Sequence, residues 1–216
     1  TGCSTEAFKC EITENKTYPV IKEVNSSNTE DMEDENYKET TVLDCNNPEL
    51  ILTPVIKDSE GNTYAEGDIT YVWTTTDENG DIIIIGTGKT ITVTKEGAYE
   101  LQVIDAKTGC PGQKVVVDIT KNTTTPVITN IISYTKESPN DPERKESNVL
   151  TCANPALYLN PVIESTNGVT YLWSTGETTQ MIKVEAAGTY TLVVTDVVTG
   201  CSTEAFKCEI TENKTY

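Results

Sequence analysis

Seven cysteines, 34 carboxylates and no histidine make up the reactive inventory of this 216-residue chain. Without histidine, the chain lacks the usual base for a serine or cysteine nucleophile and the commonest metal ligand. The cysteines are Cys3, Cys10, Cys45, Cys110, Cys152, Cys201 and Cys208, and none lies in a Cys-x-x-Cys pair. Zinc ribbons and thioredoxin-like redox motifs need that spacing. Structural disulfides in an oxidising, extracellular compartment are the better reading.

The densest acidic run is Glu30-Asp31-Met32-Glu33-Asp34-Glu35. Its carboxylates Glu30, Asp31, Glu33, Asp34 and Glu35 could coordinate Ca²⁺, but the run lacks the glycine and alternating spacing of an EF-hand. The corresponding stretch 138–147 is mixed in sign, so a solvated loop is favoured and no cofactor is expected. Asn15-Lys16-Thr17, Asn25-Ser26-Ser27 and Asn122-Thr123-Thr124 match the N-glycosylation pattern. Nothing singles out a catalytic carboxylate pair or a Lys–Asn isopeptide site, so the chain is read as not an enzyme. Sixteen basic against 34 acidic residues give a net charge of −18, which argues against nucleic acid and anionic membranes as partners. The longest aliphatic run, Ile82-Ile83-Ile84-Ile85, is far shorter than the ~18 residues of a spanning helix.

Those residues are positioned by a repeat. Residues 1–18 recur unchanged at 199–216, an offset of 198 from 1 to 199. A tandem array with that period is the simplest explanation, and the chain opens in mid-pattern at Thr1-Gly2-Cys3, as though cut from something longer. A weaker repeat lies inside the period. Tyr71-Val72-Trp73 matches Tyr171-Leu172-Trp173, Gly97-Ala98-Tyr99 matches Gly188-Thr189-Tyr190, and Thr108-Gly109-Cys110 matches Thr199-Gly200-Cys201. Cys45-Asn46-Asn47-Pro48 matches Cys152-Ala153-Asn154-Pro155. Each period thus holds two related domains of about 99 residues, close to the ~100 of an immunoglobulin-like sandwich.

Period-2 alternation marks the strands. Ile69, Tyr71 and Trp73 share a face, as do Val169, Tyr171 and Trp173; Tyr99, Leu101 and Val103 alternate like Tyr190, Leu192 and Val194. No stretch has helical periodicity with caps. The expectation is an all-β chain of two tandem immunoglobulin-like sandwiches, one period of a longer array. Residues 1–18 would be the last strand of the preceding repeat's domain, 19–122 the first domain and 123–216 the second. Trp73 and Trp173 mark the cores. Tyr99 and Tyr190, each two residues after a glycine, are candidates to return their hydroxyls to the backbone as tyrosine corners.

The segments 171–180 (Tyr-Leu-Trp-Ser-Thr-Gly-Glu-Thr-Thr-Gln), 187–196 (Ala-Gly-Thr-Tyr-Thr-Leu-Val-Val-Thr-Asp) and Gly200-Cys201 resemble the Ig-like and PKD-like repeats of Bacteroidota surface proteins. Such repeats occur in giant adhesins, including the mobile gliding-motility adhesin, exported by type IX secretion. The first domain departs from the pattern, with Thr74-Thr75-Thr76-Asp77-Glu78-Asn79-Gly80 in place of the Ser-Thr-Gly-Glu turn.

Four cysteines belong to the internal repeat: Cys45 and Cys152 before the second strand, Cys110 and Cys201 after the tyrosine strand. Pairing within each domain would give Cys45–Cys110 and Cys152–Cys201. In such a sandwich, however, these positions fall at opposite poles, ~23 Å apart for strands of about seven residues, whereas bridged Cα atoms sit ~4.4–6.8 Å apart. Pairing between domains would join Cys45 to Cys201, and Cys152 to the next repeat's Cys110. Both schemes stay open. Cys208, with its copy Cys10, reads as a buried free thiol, with a bridge to Cys152 as the alternative.

The functional expectation is a structural stalk or filament segment of a repetitive adhesin on the bacterial cell surface, giving length and stiffness for attachment or gliding. Its partners would be neighbouring repeats, and beyond them other surface proteins or surface glycans. The alternative is an Ig-like adhesion module that binds a glycan or protein ligand.

Overall fold

The computed structural model describes residues 17–65 and 67–213. Cys3, Cys10 and nearly all of the strand expected over 1–18 lie outside the described residues. Among the described residues every regular element is a β-strand, and no helix is long and apolar enough to cross a membrane.

The chain divides into two compact units. Of the described residues, the first unit takes 17–41 together with Glu49–Thr120, and the second takes Val42–Pro48 and 121–213. Domain limits of 19–122 and 123–216 differ from this in the placing of 42–48 and of residues 121 and 122. The short segment 42–48 belongs with the second unit because its backbone and Cys45 are held there, as described below.

In the first unit, β1 (Pro19–Ser27), β3 (Leu50–Asp58) and β6 (Ile91–Val93) form one sheet in the order β1-β3-β6. The other sheet uses β4 (Ile69–Thr76), β5 (Ile82–Gly86), β7 (Gly97–Asp105) and β8 (Val115–Lys121), in the order β8-β7-β4-β5, and the two-residue strand β2 (Val42–Leu43) belongs to the 42–48 segment counted with the second unit. Along β8, Thr120 N–H donates to the Thr41 carbonyl and Asn122 N–H to the Leu43 carbonyl, both at 2.9 Å. The β4–β7 register runs antiparallel from Ile69 opposite Asp105 to Thr75 opposite Tyr99. Alternation then sends Leu50, Leu52, Trp73, Val93, Leu101, Val103 and Ile119 inward, all buried.

The second unit repeats the plan. β9 (Val127–Tyr134), β11 (Leu157–Glu164) and β13 (Ile182–Val184) form the sheet β13-β11-β9. β10 (Val149–Thr151), β12 (Val169–Trp173), β14 (Gly188–Asp196) and β15 (Phe206–Asn213) form the sheet β10-β15-β14-β12, with β10 parallel to β15. One core cluster joins Ile128, Ile131, Leu157, Leu159, Ile182 and Val184 from the first of these sheets to Leu150, Trp173, Leu192, Val194 and Ile210 from the second. Two sheets sharing one apolar interior make an immunoglobulin-like β-sandwich.

A buried tryptophan must also satisfy its indole N–H. Trp73 donates to the Gly88 carbonyl at 3.0 Å and Trp173 to the Thr179 carbonyl at 2.9 Å. The Tyr99 hydroxyl donates to the Lys95 carbonyl at 2.7 Å and the Tyr190 hydroxyl to the Ala186 carbonyl at 2.9 Å. Each tyrosine thereby ties the start of its strand to the turn four residues upstream.

The units differ after the tryptophan. In the second, the chain turns at once, with Gly176 N–H donating to the Trp173 carbonyl. In the first, β4 continues to Thr76 and turns at Asp77, whose Oδ1 accepts the Asn79 and Asp81 N–H groups. The returning strand is β5, an edge strand paired to β4. Its residues Ile82–Ile85 are 38–74% exposed.

Candidate functional site

The chemistry that the chain carries out on itself is a disulfide, and it forms between Cys45 and Cys201, with Cα atoms 5.0 Å apart. Pairing within each sequence domain, Cys45 to Cys110 and Cys152 to Cys201, is therefore corrected. Both Cys45 and Cys201 are consumed in one bridge, and Cys110, Cys152 and Cys208 carry free thiols. No bridge joins Cys152 to Cys208 either.

The bridge sits on a turn built from Asp196 to Cys201. The Asp196 Oδ1 accepts the N–H groups of Val198 and Thr199 at 2.8 and 2.9 Å. Gly200 N–H donates to the Asp196 carbonyl, and Asp196 N–H to the Cys201 carbonyl, each at 2.9 Å. Gly200 closes the turn at φ +69, a left-handed angle that costs glycine least. Asn167 Nδ2 donates to the other Asp196 oxygen at 2.9 Å. The Thr199 N–H, then the Asn167 amide, hold the Asp196 carboxyl below the usual carboxylate range. A buried carboxylate with every oxygen engaged is a fixed template for the loop around it.

Onto this turn docks the segment 44–47. The Thr199 carbonyl accepts the N–H groups of Cys45 and Asn46 at 3.0 and 3.2 Å. The segment is itself folded. Asp44 N–H donates to the Asn47 carbonyl at 3.0 Å, and the Asp44 Oδ1 accepts both the backbone N–H and the side-chain amide of Asn47. Asp44 and Asn47 are buried, as are Thr199 and Cys201. The Asn46 side chain lies so close over Gly200 that a Cβ there would stand 2.0 Å from its Oδ1. Gly200 is thus required twice, for its backbone angle and for the space that Asn46 occupies.

The first unit builds the same turn from Asp105 to Cys110. The Asp105 Oδ1 accepts the Lys107 and Thr108 N–H groups at 2.9 and 2.7 Å, and Gly109 N–H donates to the Asp105 carbonyl at 2.8 Å. Gly109 stands at φ +71. The Thr108 N–H leads in holding Asp105 below the carboxylate range. Burial, then the neighbouring Asp105 charge, push the Tyr64 phenol up to about 12. Among the described residues, a Cβ on Gly109 would meet no atom within 4 Å, and Cys110 is half-buried with a free thiol.

The remaining candidates are dispersed. Glu30, Asp31, Glu33, Asp34 and Glu35 are exposed. Asp31 Oδ1 accepts the Glu33 N–H, Asp34 Oδ1 accepts the Asn36 N–H, and Glu30 Oε1 accepts the Thr90 hydroxyl. Among the described residues no group of three or more acids and cysteines is gathered as a metal site. Cys208 is half-buried against the second core, and desolvation pushes its thiol pKa up. Sequence reading singled out the cysteines but passed over Asp44, Asn46, Asp105, Asp196 and Thr199, which set the geometry. The recurring Asp-x-x-Thr-Gly-Cys at 105–110 and 196–201 is the signal that could have found three of them, Asp105, Asp196 and Thr199.

No family model matches the chain, and no curated protein does. Among solved structures, the three N-terminal domains of the bacteriophage RB49 highly immunogenic outer capsid protein (Hoc) align at 18% identity and TM-score 0.37, over 76% of this chain and 54% of that one. The FN1–FN3 domains of chicken CNTN1 align at 12% identity and TM-score 0.31, over 76% and 63%. Domains 1–6 of the surface layer protein SbsC align at 15% identity and TM-score 0.32, over 91% and 28%. The chain spans less than two thirds of each of these three solved chains. Its assignment as two immunoglobulin-like β-sandwiches rests on the strand order, register and shared cores described above.

Proposed function

We propose that the chain is a load-bearing, non-catalytic segment of a repetitive bacterial surface fibre, the stalk of an adhesin working outside the cell without a cofactor. The observation that carries this reading is the Cys45–Cys201 bridge, whose partners are 156 residues apart in sequence. Tension applied to the two ends of the chain passes through the sulfur atoms and bypasses residues 46–200. A fibre made this way resists extension even when a sandwich opens. The bridge also fits an oxidising compartment, and the net charge of −18 favours solubility of a long acidic polymer. Attachment or gliding, and export by type IX secretion, belong to this proposal through the resemblance of the 171–201 segments.

Force spectroscopy on the chain held at its ends tests the reading. Reduction should add roughly 500 Å of releasable length, 156 residues at about 3.3–3.6 Å each. Equal unfolding lengths with and without reductant would remove the mechanical argument. Saturable binding of the isolated chain on a glycan array would favour an adhesion module instead.

A further inference from the structure

The occupied turn at Cys201 and the open turn at Cys110 are the same construction, and so are the docking segments. Segment 151–155 folds as 44–48 does: Thr151 N–H donates to the Asn154 carbonyl at 3.0 Å, as Asp44 N–H does to Asn47. The Thr151 hydroxyl accepts the Asn154 N–H at 3.1 Å, in the role of the Asp44 carboxylate. Leu150, like Leu43, is anchored in the core just before it. Cys45 is bridged and donates its N–H to the Thr199 carbonyl, as does Asn46, whereas Cys152 carries a free thiol. Each half of a second bridge is thus preformed, and neither has its partner.

Sequence spacing supplies the missing partner. Cys45 precedes Cys201 by 156 residues. With the 198-residue offset, the next copy of Cys110 falls 156 residues after Cys152 (110 plus 198, less 152). The two separations are identical. Ala153, which stands at the position of Asn46, carries a smaller side chain than the one that lies over Gly200.

We propose that Cys152 of one copy of the repeat and Cys110 of the following copy form a second disulfide, with the 151–155 segment docked on the Asp105–Cys110 turn as 44–48 docks on Asp196–Cys201. This rests on the tandem-array part of the proposed function. In an array the two bridges interleave: one spans 45–201, and the other spans from 152 across the next period's start to its Cys110. Every peptide bond inside the array is then spanned by at least one bridge, so a single backbone cut does not sever the fibre.

The bond forms by exchange with a low-molecular-weight disulfide such as oxidised glutathione. The Cys152 thiolate attacks one glutathione sulfur and releases one thiol. The Cys110 thiolate then attacks the Cys152 sulfur and releases the second. Two protons and two electrons leave the cysteines, and one glutathione disulfide becomes two glutathione thiols.

The test is a protein of two consecutive periods, refolded in a glutathione redox buffer, alkylated and mapped without reduction. A peptide pair joining Cys152 of the first period to Cys110 of the second is expected beside the Cys45–Cys201 pair, and Cys152→Ser should abolish the former alone. After one proteolytic nick between Cys201 and the next Cys45, the protein should stay one species until reduced. Alkylated Cys110 and Cys152 in a sample where Cys45–Cys201 has formed would overturn the second bridge and leave the stalk reading standing. A pair joining Cys110 to Cys208 would overturn it too. Glycan binding by the chain would end the stalk reading without touching the bridge.

Discussion

The turns Asp105–Cys110 and Asp196–Cys201 differ in what covers them, not in how they fold. Both are organised by an aspartate that accepts two backbone N–H groups, and both close on a left-handed glycine. In one, Thr199 and Cys201 are buried under segment 44–47; in the other, Thr108 and Cys110 remain half-exposed. The turn therefore does not need its cover in order to form, and the bridge is an addition to a preorganised site. A docking site that is rigid beforehand loses little entropy when occupied.

The sharpest way to break the comparison is to show that the sandwiches differ in their cores. Trp73 and Trp173 are 0% and 2% exposed, with equivalent indole hydrogen bonds. Trp73→Ala and Trp173→Ala should each cost about 3–5 kcal/mol in the melt of their own unit, a large share of a small domain's stability. Costs that differ several-fold would mean that the units diverge in more than the covered turn.

Next in size is the bridge. Reduction, or Cys201→Ser with Cys45→Ser, should destabilise the second unit by about 2–4 kcal/mol and leave the first within error. Hydrogen exchange can follow both units at once. Equal losses in the two would contradict the placing of 42–48 with the second unit.

The glycines sharpen the comparison further. Gly109→Ala should cost about 1 kcal/mol for its left-handed backbone alone. Gly200→Ala meets that cost and the Asn46 side chain as well, about 2–3 kcal/mol together. In an Asn46→Ala background the two glycine substitutions should converge, which chemical denaturation can measure.

The smallest effect is in acid. Asp105 and Asp196 have folded-state pKa values lowered by the turn N–H groups, led by Thr108 and Thr199 respectively. Their stabilisation is present above the ordinary aspartate pKa of ~3.9 and is lost as pH falls through the lowered folded values. Melts should therefore be level from pH 7 to 5 on this account and fall below about pH 4. Asp105→Asn and Asp196→Asn should each flatten that acid limb in its own unit. An unchanged limb would show that other carboxylates dominate it.

Much of this architecture was legible in the residues. Alternation at Ile69-Tyr71-Trp73 and Tyr190-Leu192-Val194 marks strands because side chains on a pleated backbone point to opposite faces in turn. The internal match of Tyr-x-Trp, Gly-x-Tyr and Thr-Gly-Cys divides the period into two like sandwiches. Strand length separates positions at opposite ends of a sandwich, which leaves Cys45–Cys201 as one of two pairings. The Ile82–Ile85 run was less legible. Four consecutive isoleucines carry no alternation that marks a face, and β5 is an exposed edge strand paired to β4, which depends on where the other strands end.

The sequence by itself therefore determined the strand faces, the two cores and the repeat, because these follow from local periodicity and from copying of the chain. Tertiary structure alone decided which cysteines meet and that 42–48 serves the second unit. It also decided that Gly200 lies under Asn46. Those outcomes depend on approach distances between segments 156 residues apart, and no local pattern of residue types encodes a distance of that kind.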